Sequence, residues 1–390
     1  MTGTASGATS PHGHATGATN ATNATAATAA TGRGRDGATN GLDRRTFLRV
    51  AGAGAAATAL PPALTGCLMG RNETPAAGGS TVRFAFAPEA IWDYMKQEGI
   101  LQRFQKERGL NIQAISTWDE FTFFAGGHGE LVSTASYELP VLERRTKTKT
   151  VTFGKYNLLR ITPVCRPEST YQTLADIPKG SKIAVPSAVA STLLWGMFAK
   201  KLHNLDFRVG GGDFDLVVED HFVMAEHLER GEVEAALVIP EAAIGQLREK
   251  KLKVMYQGRL PHEIFGPICD CTHLGVMGNM FTATEKWFDA HREDARNFLA
   301  LWEEGVKLWR AHQAEIIERF PQHFSVEKPE DIEAMQGYLK AHDWFVDSVY
   351  LDADWIEREK RIYELMKETG FMDKNAPIPR FEALTPAGGG

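Results

Sequence analysis

The sequence predicts an α/β protein of two lobes, each a mostly parallel sheet with flanking helices, followed by a helical C-terminal part. Three observations predict it. Short apolar strands alternate with segments of helical period from residue 82 onward. The pattern then repeats. Residues 82–88 form an alternating strand ending at Pro88, and a Gly-Glu-strand segment follows at 129–140. Residues 182–186 form a strand ending at Pro186, and a Gly-Glu-strand segment follows at 231–241 after a nearly equal interval. Beyond Thr282, Trp287, Phe288, Phe298, Leu299, Trp302, Val306 and Trp309 recur at helical spacing.

The elements follow in order. Residues 1–41 are nearly all Ala, Thr, Gly, Asn and Ser. They lack the apolar side chains that offset chain entropy, so disorder is expected. Arg44 and Arg45, with Phe47 and Leu48 close behind, match a twin-arginine export signal. The apolar run at 50–64 is too short to span a bilayer. It ends in Leu64-Thr65-Gly66-Cys67, which resembles a bacterial lipoprotein box; the resemblance makes Cys67 the lipidated first residue of the mature chain. The expected division is 1–66 for extension and signal, 67–80 for an anchored linker, 81–164 for the first lobe, 165–272 for the second, and 273–390 for the rest of the first lobe with the C-terminal helices. Ile91, Tyr94, Met95, Leu101 and Phe104 give a helical stripe in the first repeat, and Leu193, Leu194, Met197, Phe198 and Leu202 give its counterpart. Further helices are expected at 329–341 and 352–370, and a frayed end at 385–390. The aromatic stripe reads as core, because large rings at spacing three and four bury against a sheet.

Of 390 residues, 43 are basic and 49 acidic, a net charge of -6, which gives no basic footprint for nucleic acid. Cys67 aside, Cys165, Cys269 and Cys271 remain. An odd number builds no complete disulfide framework. Buried thiols, one bridge from Cys165 to Cys269 or Cys271, or a metal held by Cys269, Cys271 and His273 all stay open, although Cys-x-Cys-x-His lacks the usual two-residue gap of structural zinc sites.

Ligands of open parallel sheets bind beyond the carboxyl ends of the strands. The candidate residues are therefore Pro88, Glu89, Ala90, Trp118, Asp119, Ser136, Tyr137 and Glu138 in the first lobe, and Ser187, Ser191, Thr192, Pro240 and Glu241 in the second. Ser187 is expected to cap the following helix, whose free N–H groups favour an anion. Glu138 and Glu241 occupy equivalent points of the repeat and could serve acid–base chemistry, hold an amine, or form salt bridges. His128, His221, His227, His262 and His273 are scattered and read as structural, and Gly210-Gly211-Gly212 reads as a loop. No nucleophile-elbow, metal-protease or phosphate-loop motif accompanies them.

The lipoprotein start, the strand-Pro-helix opening, the Ser-x-x-x-Pro segment at 136–140, the stretch 171–186 and the turn Val238-Ile239-Pro240-Glu241 resemble the solute-binding proteins of nitrate, sulfonate and taurine ABC importers. The resemblance implies a type II periplasmic-binding fold with crossings near 162–166 and 269–275. It also implies an extracytoplasmic monomer, tethered by lipid, that captures a sulfonate, a taurine-like zwitterion or an aromatic acid. The solute would pass to a permease with its ATPase partner. No cofactor, resident metal or catalysis is implied. The alternatives are an enzyme on the same fold, metal-dependent or related to thiamine-pyrimidine precursors, and a sensory lipoprotein. Two features depart from the family: Ala188-Val189 replaces a Gly-Ser pair, and Glu89, Asp119, Glu138 and Glu241 have no evident arginine among them. Ionised acids repel an anion, which disfavours nitrate, while Trp118 and Tyr137 offer faces for stacking.

Overall fold

The computed structural model describes residues 80–269 and 276–386. Arg44, Arg45, Cys67, Cys271, His273 and the end at 387–390 lie outside the described residues, as do the extension and all of the linker except Ser80. So does most of the expected crossing at 269–275.

The chain opens with β1 (Ser80–Phe86), whose second half is buried on both faces. Helices α1 (Ala90–Gln97) and α2 (Ile100–Arg108) follow, parted by Gly99 at φ 69°. Then come β2 (Leu110–Ser116), α3 (Glu120–Ala125), β3 (Leu131–Thr134), α4 (Leu139–Thr146) and β4 (Thr150–Leu158). The second region holds β5 (Thr162–Cys165), β6 (Lys182–Val185), α5 (Ser191–His203), β7 (Asp215–Val218), α6 (His221–Glu229), β8 (Ala235–Val238), α7 (Ile244–Arg248), β9 (Lys253–Val254) and α8 (Pro261–Cys269). The chain returns with β10 (Met277–Thr284), α9 (Glu285–Ala290), α10 (Arg292–Arg319), α11 (Pro329–Ala341), α12 (Ala353–Thr369) and β11 (Arg380–Phe381).

The strands form two sheets, ordered β11-β4-β10-β3-β1-β2 and β7-β6-β8-β5-β9. The sequence repeat is a repeat of topology. β1 pairs in parallel with β2 and β3, and β6 pairs in parallel with β7 and β8. Parallel pairing dominates this half of each lobe, and β11 adds a further parallel pair with β4 in the first sheet. β10 runs antiparallel to β3 and β4, and β5 runs antiparallel to β8 and β9, since both strands enter from the opposite lobe.

The first passage between lobes is Leu159-Arg160-Ile161, between β4 and β5. Residues 162–165, expected at the crossing, are instead a strand of the second sheet, because Val164 and Cys165 are fully buried and paired on both sides. The C-terminal helices also differ from a simple continuation of the first lobe. α11 packs on α7, and α12 packs on α5 and α8, all three in the second region. β11 then joins β4 in the first sheet.

The aromatic stripe is core, as its spacing suggested. Phe84 stacks on Phe86 at 4.9 Å, Phe298 meets Phe84 edge-on at 4.9 Å, and Tyr156 lies 4.8 Å from both Phe281 and Trp302. In the second lobe Trp195 is fully buried and donates its indole N–H to Ile161 O at 2.9 Å, which fastens α5 to the passage. Cys165 is a buried free thiol, so the bridge from it to Cys269 or Cys271 is not formed; burial raises its pKa. Among the described residues no three His, Cys, Asp or Glu side chains cluster to hold a metal, and no helix is long and apolar enough to cross a membrane.

Candidate functional site

The carboxyl ends of β1, β2 and β3 face those of β6, β7 and β8, and a cavity of about 640 Å3 lies between them. Six of the candidates line it: Trp118, Asp119, Tyr137, Glu138, Ser187 and Ser191. Pro88, Glu89, Ala90, Ser136, Thr192, Pro240 and Glu241 do not. Thr117, Glu120, Arg160, Asn279, Glu219, Asp220 and His221 complete the polar lining and were not singled out for it by the sequence.

The acids differ in state. Glu89 is buried beneath the floor and accepts a hydrogen bond from Asn157 Nδ2 at 2.9 Å. Burial drives its pKa up to about 8, against the pull of Arg160. Glu120 begins α3; its Oε2 is buried, and burial with the nearby Glu138 charge raises its pKa to about 8. Glu138 Oε2 accepts from Thr134 Oγ1 at 2.6 Å and from the Ala135 N–H at 3.0 Å. It also accepts from the backbone N–H of Ala190, which belongs to the other lobe. These bonds favour the charged form, but burial outweighs them and the pKa is raised. Ala190 sits at φ 53° and ψ -138°, a strained conformation for alanine, immediately before the first turn of α5. Glu89 and Glu120 are therefore mostly protonated at pH 7, so these two acids add little of the repelling charge that the sequence suggested.

The arginine that the sequence hid is Arg160, in the passage between lobes. Its Nε donates to Glu241 Oε1 at 2.8 Å, its Nη2 reaches the same oxygen, and its guanidinium lies 4.2 Å from the centre of the Trp344 ring. Both partners are nearly buried. The carboxylates Glu241 and Glu89 hold the Arg160 pKa above its ordinary value in spite of burial. Glu241 thus faces Arg160 and not the cavity. Glu89 and Ala90 are buried, and Pro88 is half-buried, all three outside the cavity lining. Ser136 is buried, and its Oγ donates to Glu359 Oε2 of α12 at 2.5 Å. Burial lifts the Glu359 pKa to about 7.

Ser187 is not the helix cap. Its Oγ accepts from the Val189 N–H at 3.2 Å and donates to Val189 O at 2.9 Å, closing a turn before the helix; the N-cap position falls on Ala190. Ser191 therefore opens α5. Its Oγ is buried without a hydrogen-bond partner, as are Glu120 Oε2 and His221 Nδ1, and all three residues line the cavity. Trp118, 40 % exposed, reaches across the mouth to His221 at 5.0 Å and Phe222 at 5.9 Å. Burial lowers the His221 pKa to about 4, so its imidazole is neutral at pH 7, and its place on the cavity wall was concealed by its isolation in sequence. Tyr137 is only 1 % exposed, so Trp118 supplies most of the open aromatic surface.

Two matched sheets closing on such a cavity define the periplasmic binding protein fold. Solved structures agree. The periplasmic aliphatic sulphonate binding protein of Escherichia coli is similar with a TM-score of 0.59 at 16% identity, over 79% of this chain and 94% of that one. The alkanesulfonate-binding protein of Xanthomonas axonopodis pv. citri, bound to MOPS, is similar with a TM-score of 0.61 at 16% identity, over 79% and 99%. A Candida albicans gene product described as having the generic periplasmic binding protein fold reaches 0.56 at 12% identity, over 80% and 99%. No protein-family model and no curated protein matches the chain by sequence.

Proposed function

We propose that this chain is the extracytoplasmic solute-binding component of an ABC importer of the nitrate, sulfonate and taurine group. It is a monomer, exported through the Arg44-Arg45 signal and tethered by lipid at Cys67. It presents its solute to a permease with an ATPase subunit and performs no catalysis. The lobes are taken to divide at Arg160.

One observation carries the reading: Glu120 Oε2, Ser191 Oγ and His221 Nδ1 are buried, unpartnered and gathered on one inter-lobe cavity. Buried polar groups are nearly always satisfied, so three orphans at one cavity ask for a ligand. Its class follows from the surroundings. The first turn of α5, with Ser191, suits a sulfonate or carboxylate. Neutral Glu120 donates a hydrogen bond to such a group and does not repel it. Asp119 and Asp220 suit an amine at the other end, and Trp118 suits an aromatic or alkyl body. A sulfonate, a taurine-like zwitterion or an aromatic acid meets these demands.

A thermal-shift screen of sulfonates, amino sulfonates and aromatic acids tests this. A true ligand at a hundredfold above its dissociation constant stabilises the fold by roughly 2.7 kcal/mol. Substituting Ser191→Ala should abolish the shift. A panel without any stabilising member overturns the reading.

A further inference from the structure

A second cavity, of about 330 Å3, lies where α4 of the first lobe, the first turn of α5 and the chain after α12 meet. It shares no described lining residue with the cleft. Its charge is opposite in character. The cleft is lined by several acids, whereas the charged groups here are Arg144 and Arg208, with no Asp or Glu among the described lining residues.

Only one of the two arginines meets a carboxylate among the described residues. Arg144 is exposed on α4 and has no ion pair or hydrogen bond among the described residues. Arg208 meets only its near neighbour Asp206, at 3.2 Å, and lies 4.9 Å from the centre of the Phe371 ring. Thr192 lines the same cavity; it is only 2 % exposed, and its Oγ1 is buried without a partner. A buried hydroxyl facing a cavity without a partner is costly unless something accepts from it. Phe207 and Phe371 supply apolar walls.

We propose that this cavity is a binding site for a small organic anion, a carboxylate or sulfonate on a compact apolar body. Arg144 and Arg208 hold the anionic head, the Thr192 hydroxyl donates to it, and the body lies against Phe371. Guanidinium forks suit a planar carboxylate, and a ring already stacked by Arg208 offers a ready platform. Arg144 comes from one lobe, Arg208 and Thr192 from the other, so the bound anion ties the lobes in the arrangement seen here. By linkage it tightens the cleft toward its own solute. Ser191 of the cleft and Thr192 of this cavity are successive residues of one helical turn, which gives the coupling a short route. The site stands apart from the identity of the transported solute.

The test is calorimetric titration of the full chain with benzoate, repeated with Arg144→Ser/Arg208→Ser, with Thr192→Val and with the cleft variant Trp118→Ala. The expected result is a saturable event at millimolar benzoate or below in the unsubstituted chain. It should weaken at least about tenfold in the double arginine variant, as for loss of a charge-assisted pair. It should weaken several-fold in Thr192→Val and persist in Trp118→Ala. Benzoate held in the cleft shows the reverse pattern and is counted separately. If no event depends on the arginines, the proposal is overturned. Both arginines are at the surface, and Arg144→Ser alone serves should the double variant fail to fold.

Discussion

Glu138 and Glu241 occupy the same place in the two lobes, each in a short helical turn just after the third strand of the repeat. They have opposite fates. Glu138 is bound by uncharged donors, the Thr134 hydroxyl at the end of β3, the Ala135 N–H before the turn, and the Ala190 N–H from the facing lobe. Glu241 is bound by a full positive charge from the passage between lobes. One carboxyl latches lobe to lobe, while the other anchors the hinge. Duplication supplied the position, and the partner that reached each position decided its use.

The comparison can be broken from the hinge side first. Arg160→Gln leaves the Glu241 carboxylate buried without its cation, which should cost about 3–5 kcal/mol in urea denaturation. Adding Glu241→Gln should restore much of that loss. A single variant as stable as the parent would mean that the pair anchors nothing. On the latch side, Glu138→Ala strands the Thr134 hydroxyl and two backbone N–H groups. It should cost about 2–3 kcal/mol, and scattering should report a larger radius of gyration in the ligand-free protein.

Glu89 sharpens the same contrast through pH. Glu89 has its folded pKa raised to about 8 from an ordinary value near 4.5, so the folded state holds more protons between those limits. Stability therefore falls as pH rises through that window. Glu89→Gln removes this group's share, so the stability lost between pH 6 and pH 8 should shrink by about 2 kcal/mol in denaturation curves at the two pH values. An unchanged pH slope would show that Glu89 ionises freely. The smallest effect is expected at the mouth, where Trp118→Ala removes an exposed cross-lobe ring contact worth about 1 kcal/mol; solute affinity should drop several-fold.

The sequence made much of the fold legible, for a physical reason. Strand alternation and helical stripes reflect burial on one face, and burial is what residues 82–88, 182–186 and 298–309 display. Helix 329–341 was readable because Pro329 and two acids open it. The candidate site was half legible. Strand-end logic found Trp118, Asp119, Tyr137, Glu138, Ser187 and Ser191, since topology sets those positions. It missed Arg160, which lies outside both repeats in a passage flanked by Leu159 and Ile161. It put the helix cap on Ser187 because the hydroxyl was there, but the chain takes three further residues, the last a strained Ala190, before α5 begins. The charge state of Glu89 and Glu120 was unreadable, since it is set by burial in the folded chain and by the charges of Arg160 and Glu138, which lie elsewhere in sequence.

The C-terminal return has a mechanical consequence. α12 rests on the second lobe, its Glu359 grips Ser136 of the first, and β11 then adds itself to the first sheet. The jaws are thereby laced by a cord from the chain's far end as well as by Arg160's segment. Motion that opens the mouth must pivot about this lacing, and cutting the chain before Ala353 would free the jaws to swivel.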